Sequence, residues 1–376
     1  MVRYPRPDRP SGGSNPWSQW GQGLVLQDGR FLSAIGDHRG RDGNSYLFVY
    51  EPQTKELTRF ADVSALTEHE PGDWGFGKVH GQIVPGKCGT AWFATYWGTR
   101  VDIKYNSRYE GDALFRIDTA TLETTLADVP VPQHGIPSLA SGPKPGLLYG
   151  EAVDPFAEGS RGHEEGAFFV YDTTTGTVIH RSDDREHSTF RNVLVDGKGH
   201  AYVAAEDGKL LRYVPGADGL EDAGMRLPGG GPLRASSVPS PDGTVYGVTQ
   251  AVDDSGDRLF ALEPDGSIRS LGKAKGYTAS LALSSDGSRL YYVPGAHGDA
   301  FEQGTPVIEV DTQTGKQRTV VELNPLAEQH LHLTLGGSYD VALDRRRNVL
   351  YVGANAGPTH DQPWGEIVLA VISLEP

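Results

Sequence analysis

Short apolar runs alternate with tight polar turns along the whole chain, and one unit keeps returning. Each unit opens with a brief apolar run, a turn, and a second apolar run. Gly23-Leu-Val-Leu is followed in this way by Arg30-Phe-Leu-Ser-Ala, Gln82-Ile-Val by Ala91-Trp-Phe-Ala-Thr-Tyr96, and Ser138-Leu-Ala by Gly146-Leu-Leu-Tyr149. Further on, Asn192-Val-Leu-Val precedes His200-Ala-Tyr-Val-Ala, and Ser236-Ser-Val precedes Thr244-Val-Tyr-Gly-Val. Ser280-Leu-Ala-Leu with Arg289-Leu-Tyr-Tyr-Val and Asp340-Val-Ala-Leu with Asn348-Val-Leu-Tyr-Val complete seven units. The intervening turns, QDG, PGKCG, GPKPG, DGKG, SPDG, SSDG and DRRR, are mostly Asp-Gly or Pro-Gly, the chemistry of β-hairpins.

The second halves repeat as well. Leu47-Phe-Val-Tyr-Glu-Pro, Leu114-Phe-Arg-Ile-Asp-Thr, Phe168-Phe-Val-Tyr-Asp-Thr, Leu259-Phe-Ala-Leu-Glu-Pro and Val307-Ile-Glu-Val-Asp-Thr each read as a strand running into an Asp- or Glu-bearing turn. Four strands per unit, at a period of about 40 to 60 residues, predict an all-β, seven-bladed β-propeller forming one domain over residues 1–376. No convincing 3.6-periodic segment is present, which excludes a parallel α/β fold. The last unit ends on Glu366-Ile-Val-Leu-Ala-Val-Ile-Ser-Leu with no fourth strand left. Residues 2–4, or a little later, are therefore expected to supply that strand and close the ring, removing two exposed edges.

Loop lengths divide the two faces. Turns joining first to second strands are uniformly short. Loops on the other face are long, notably 36–45, 97–111, 151–166, 294–305 and 353–365. Long loops in a compact fold are usually functional, so this face is expected to carry the site. Nine of the 12 histidines fall there: His80, His134 and His187 at inner-strand entrances, His330 and His332 before the last unit, and His38, His163, His297 and His360 in long loops. Imidazole is the commonest metal ligand, and several converging on the axis would suit a divalent ion such as Mn, Zn, Ca or Fe. His80, His134, His187, His297 and His332 are the candidate ligands.

Other reactive side chains share the entrances: Gln82, Arg191, Arg234, Tyr277 and Tyr339. Arginine neutralises a carboxylate while histidine or tyrosine moves a proton, a set suited to a small acidic substrate. His80, His134, His187, Arg191 and Tyr277 are the catalytic candidates. The 96–109 loop is locally basic and aromatic, and Arg100, Tyr105 and Arg108 join Gln82, Arg234 and Tyr339 as substrate-binding candidates.

Composition narrows the partners. Asp plus Glu exceed Lys plus Arg, 49 to 34, for a net charge of −15, with no basic face for nucleic acid. No stretch approaches the roughly 18 apolar residues of a membrane helix, and the start lacks an apolar signal core, so a cytoplasmic protein with no membrane partner is expected. One cysteine, Cys88, rules out an internal disulfide, and its place in a short turn gives it no catalytic role. Gly-Gly-Gly at 229–231 lacks the strand-then-helix setting of a phosphate loop, and the Asp-rich 251–258 turn is weak as a calcium site.

At Gly77-Lys-Val-His80-Gly, Pro132-Gln-His134-Gly-Ile-Pro-Ser and Val293-Pro-Gly-Ala-His297-Gly the chain resembles a set of bacterial seven-bladed propellers, many without assigned function. More loosely, the architecture is similar to that of the propeller polysaccharide lyases. Of these, oligogalacturonate lyases use a His/Gln-bound manganese, which Gln329-His330-Leu-His332 approximates, and ulvan-type lyases use His, Tyr and Arg. The resemblance implies a metal-dependent lyase that works by β-elimination on a uronate-type substrate, with Arg191 or Arg234 neutralising charge and Tyr277 or a histidine moving the proton. Two alternatives stand beside it. One is a four-histidine Fe(II) oxygenase, which the inner-strand histidines also resemble. The other is a non-catalytic scaffold that binds a protein or peptide over its top face.

Overall fold

The computed structural model describes residues 1–5, 17–97, 109–144, 146–154, 166–182, 192–205, 207–252, 256–295 and 304–374. Its strands form seven four-stranded antiparallel sheets arranged as the blades of a propeller. The inner strands, in order from blade 1, are Leu24–Val25, Val84–Pro85, Gly135–Ser141, Leu194–Val195, Gly230–Ser236, Ala282–Leu283 and Thr334–Asp344. Within each of blades 1 to 6 the strands pair in simple chain order; short turns join most neighbours as hairpins, and longer loops join the second and third strands of blades 1, 2, 3 and 6. In blade 5 the inner strand begins earlier than the apolar pattern at 236–238 suggests, and two register shifts bend it.

Blade 7 is completed from the opposite end of the chain, as the missing fourth strand requires. Val2–Arg3 pairs with Glu366–Ser373, Val2 facing Leu369 and Arg3 facing Val368. The next residue fastens this strand to blade 1. Tyr4 is buried, its ring meets Phe48 edge-on at 5.2 Å, its hydroxyl lies 2.8 Å from Ser33 Oγ, and its N–H donates to Ile367 O at 3.0 Å.

The core lies between blades. Alternating strand residues interdigitate with those of the next sheet, as in the Leu32, Leu47, Val79, Phe93 and Phe115 cluster between blades 1 and 2. Near the axis the inner strands approach closely, and the sequence meets this with a repeated X-Gly-Gln at Trp20-Gly21-Gln22 and His80-Gly81-Gln82. A Cβ on Gly21 would stand 2.1 Å from Gly81 O, inside any real contact distance. Among the described residues two short helices interrupt the β pattern, α1 (Val63–Leu66) and α2 (Leu323–Leu331), each connecting an outermost strand to the next blade. They are linkers on the long-loop face rather than a layer of the fold.

Candidate functional site

Inner-strand entrances and second-to-third-strand loops bring together a run of rings and cations on the long-loop face. The indole of Trp97 lies 4.2 Å from the ring of Tyr96, which in turn lies 5.0 Å from His80. The Lys78 ammonium sits 5.2 Å from the Tyr96 centroid and 4.0 Å from that of Trp20. Trp20 contacts His38 at 4.9 Å and Tyr339 at 5.0 Å. Tyr339 reaches Tyr277 at 6.4 Å, and the Arg234 guanidinium stacks on Tyr277 at 4.3 Å. The run therefore crosses blades 2, 1, 7, 6 and 5 without a break. Aromatic faces are electron-rich, so each cation over a ring is held electrostatically as well as by packing.

Local structure explains why these rings stand where they do. Lys78 bridges to Tyr96, whose N–H donates to Lys78 O at 2.8 Å, so strand pairing sets both side chains on one face. Buried Asp112 gathers the end of this segment. One carboxylate oxygen accepts from Trp97 N at 3.1 Å and Tyr109 Oη at 3.0 Å, and the other from Thr95 Oγ1 at 3.0 Å. Trp97 also lies flat on blade 3, where a Cβ at Gly135 would come within 2.0 Å of its ring. Trp20 is anchored by its indole N–H, 2.6 Å from Ser18 Oγ.

Protonation is fixed at two imidazoles. His80 is 3% exposed and its Nδ1 lies 2.7 Å from Pro137 O, so Nδ1 carries the proton and Nε2 is the basic nitrogen. His38 is pushed down to about 3, first by burial and then by the charge of Lys78, whose Nζ lies 3.4 Å from His38 Nε2. A neutral His38 accepting from the ammonium follows directly.

Beneath the run, the waist is filled with amides. Gln22 Nε2 reaches across to Leu281 O at 3.1 Å and Val341 O at 2.7 Å, and Ser236 Oγ donates to Asn192 Oδ1 at 2.6 Å. Gln82 lines an axial cavity of about 350 Å3 below this level, with Gln22 and Asn192 at its head and Pro85, Pro143 and Pro239 toward the opposite face. Asp340 also lies at the waist, fully buried. Its oxygens accept from Gly23 N at 2.8 Å and from Gln19 Nε2, yet burial outweighs these bonds and raises its carboxyl to about 7.

This shift, with the matching one that burial imposes on Asp112, also to about 7, has a sign that can be checked. An unfolded aspartate titrates near 3.9, so between about 4 and 7 the native state binds the extra protons and stability falls as pH rises. The denaturation midpoint is expected to be higher at pH 5 than at pH 8, and Asp340→Asn is expected to flatten that difference. A midpoint that climbs from pH 5 to pH 8 in the unaltered protein contradicts the assignment.

The candidates read from sequence distribute unevenly. His80, Arg234, Tyr277 and Tyr339 belong to the run. Arg234 is 3% exposed, and Asp257 feels its charge, so it acts through Tyr277 rather than as an exposed contact. The hydroxyls of Tyr277 and Tyr339 are buried, which leaves ring, not phenol, as the surface that half-buried Tyr277 can offer. His134 lies outside the run. Its Nδ1 is 2.8 Å from Pro132 O and its Nε2 is 3.4 Å from Arg181 Nη2, on the outermost strand of blade 3, Thr177–Arg181. His332 caps the C-terminus of α2, whose Leu331 O accepts from Arg3 on the outermost strand of blade 7, so it sits at the rim. Arg100, Tyr105, Arg108, His187, Arg191 and His297 lie outside the described residues.

Among the described residues, no group of three or more His, Cys, Asp or Glu is arranged to hold a metal ion. Of the five candidate ligands, the three that are described do not assemble into a donor set. Trp20, Lys78, Tyr96 and Trp97 are members of the run that were not among the candidates, and His38 was placed on this face without being chosen. The repeated X-Gly-Gln was the signal for Trp20, since it sets Trp20 in blade 1 at the position of His80 in blade 2.

No protein-family model matches the chain, and no curated protein is similar to it. Solved structures match in fold. The β-propeller domain of the Trilobed protease from Pyrococcus furiosus superposes with a TM-score of 0.56 at 9% identity, over 96% of this chain and 95% of that one. A Bacteroides fragilis protein with a provisional 6-phosphogluconolactonase name gives a TM-score of 0.50 at 12% identity, over 80% and 83% of the two chains. At these identities the likeness is one of architecture, a seven-bladed propeller.

Proposed function

We propose that the funnel mouth binds a small carboxylated ring compound, a uronate-type sugar, and that the protein acts on it as a lyase. What supports the reading is the Lys78 ammonium set between the rings of Trp20 and Tyr96, at 4.0 and 5.2 Å, in a chain of net charge −15. Sugar rings stack on aromatic faces through their C–H bonds, and a cation held among those faces selects for a carboxylate. Withdrawing charge from the carboxylate acidifies the proton on the adjoining carbon. His80 Nε2 takes that proton, the C–H electron pair becomes a carbon–carbon double bond, and the β-oxygen leaves with its bonding pair, protonated by water. The fixed Nδ1 tautomer is what makes His80 a base here.

A binding-only reading has one observation in its favour, the 3% exposure of His80. Incubation with polygalacturonate and glucuronate-containing polymers separates the two by the ultraviolet absorbance of the conjugated product. Product that disappears in His80→Ala, with ligand binding retained, is the expected result. Binding without product leaves a sugar-binding propeller, and absence of both removes the reading altogether.

A further inference from the structure

Below the waist, the axial cavity of about 350 Å3 runs toward the short-turn face, away from the funnel mouth. Blades 1 to 6 all contribute to its wall. Leu24, Val84, Leu139, Val193, Val195 and Leu281 make an aliphatic lining, most of it buried. Pro85, Pro143 and Val238 are exposed and frame the outer end, which is where a ligand enters. Among the described residues no charged side chain lines the cavity, in a chain of net charge −15. An apolar wall with a few polar groups at one end is the usual make-up of a small-molecule site.

The head of the cavity is polar but neutral. Ser236 Oγ is spent on Asn192 Oδ1 at 2.6 Å, and Gln22 Nε2 on Leu281 O and Val341 O at 3.1 and 2.7 Å. Gln82 differs from these. Its Oε1 is buried with no hydrogen-bond partner among the described residues, and an unmet buried acceptor is costly. The terminal torsion of glutamine is broad, so the amide turns readily to present that oxygen to the space it lines. Volume sets the size of the guest. Benzene occupies an apolar cavity of about 150 Å3, so this one has room for about two fused rings. An ion is disfavoured, because no side chain there repays its lost hydration.

We infer that this cavity is a binding site of its own, for an uncharged apolar molecule of about two fused rings that carries one N–H or O–H donor. The rings lie against the aliphatic lining and the donor meets Gln82 Oε1. Gln22 reaches across the axis between this space and the funnel, and neither the Lys78 ammonium nor the His80 base takes part. The inference therefore stands independently of the lyase reading.

Three molecules built on the same pair of rings test this by fluorescence titration. 2-Naphthol has the donor, naphthalene lacks it, and 2-naphthoate is charged. 2-Naphthol is expected to bind about tenfold tighter than naphthalene, the worth of one hydrogen bond, and 2-naphthoate more weakly than 2-naphthol. Gln82→Met keeps the side-chain length and removes the acceptor. It is expected to bring 2-naphthol down to the affinity of naphthalene while naphthalene itself is unchanged. Val238 is 55% exposed at the outer end, so Val238→Trp obstructs entry without disturbing the core, and is expected to weaken both neutral ligands about tenfold or more. His80→Ala is expected to leave both unchanged. No binding of 2-naphthol, equal affinity for 2-naphthol and naphthalene, or 2-naphthoate bound as tightly as 2-naphthol overturns the inference. So does a preference for 2-naphthol that survives Gln82→Met. Binding lost in His80→Ala and kept in Val238→Trp puts the ligand in the funnel and overturns it as well.

Discussion

Replacing Lys78 with methionine is expected to weaken binding of an acidic sugar by about thirtyfold or more, while a matched neutral sugar loses less than about threefold. The figure follows from a charge-assisted contact worth about 2 kcal/mol, with 1.4 kcal/mol per factor of ten. Methionine keeps an unbranched stem of similar length between Trp20 and Tyr96, so the packing survives and the charge alone is lost. Burial, the larger of the two causes that hold the His38 pKa down, persists when the ammonium is removed, so His38 stays below its ordinary value although it regains the part owed to the Lys78 charge. Calorimetric titration of the two sugars against both proteins gives the comparison directly. Equal affinity of the variant for the acidic sugar would show that the cation over the rings is a packing device and not a recognition element.

The second large effect concerns stability. Tyr4→Ala is expected to cost about 3–5 kcal/mol, the range for deleting a buried aromatic side chain. The ring fills a site among Phe48, Phe31 and Ile367, and its hydroxyl is paired with Ser33, so truncation opens a cavity where blades 7 and 1 meet and orphans a buried hydroxyl. Tyr4→Phe removes only the hydrogen bond and is expected to cost about 1 kcal/mol. Denaturant midpoints for the two variants separate the contributions. A Tyr4→Ala protein within about 0.5 kcal/mol of the parent would mean that ring closure contributes little to stability.

The blades were legible because hairpin chemistry is local. QDG, SPDG and SSDG each fix a turn between two runs that can bury their apolar face only by pairing, and this happens seven times. The closing strand was legible by subtraction, from a last unit one strand short. The site was only partly so. His80 stands in the aromatic run, while His134 and His332, chosen by the same reasoning, lie toward the rim. Position relative to the axis depends on how far the connector from the previous blade travels before its strand turns inward. Blade 7 shows the effect, since six residues lie between His332 and Tyr339, a span of about 20 Å when extended. Residue type at a blade entrance says nothing about radius. The Trp20–Lys78–Tyr96 contact was hidden for a different reason, because it forms across blades 1 and 2 from residues up to 76 positions apart. The two helices were missed because four and nine residues are too few for a 3.6-residue period to show.

The pairing of Val2–Arg3 with Glu366–Ser373 also orders events during synthesis. Val2–Arg3 leaves the ribosome long before its partner, which is encoded more than 360 residues later. At a translation rate of about 5–20 residues per second, the gap is tens of seconds. Through that interval the blades already made end in an unclosed arc, with one sheet edge and the surface that awaits Tyr4 exposed to any neighbouring nascent chain. Two copies on one messenger RNA could exchange these strands, each giving Val2–Arg3 to blade 7 of the other. The demand on the cell is thus concentrated at the seam, and dilution or a chaperone that shields one strand edge would meet it.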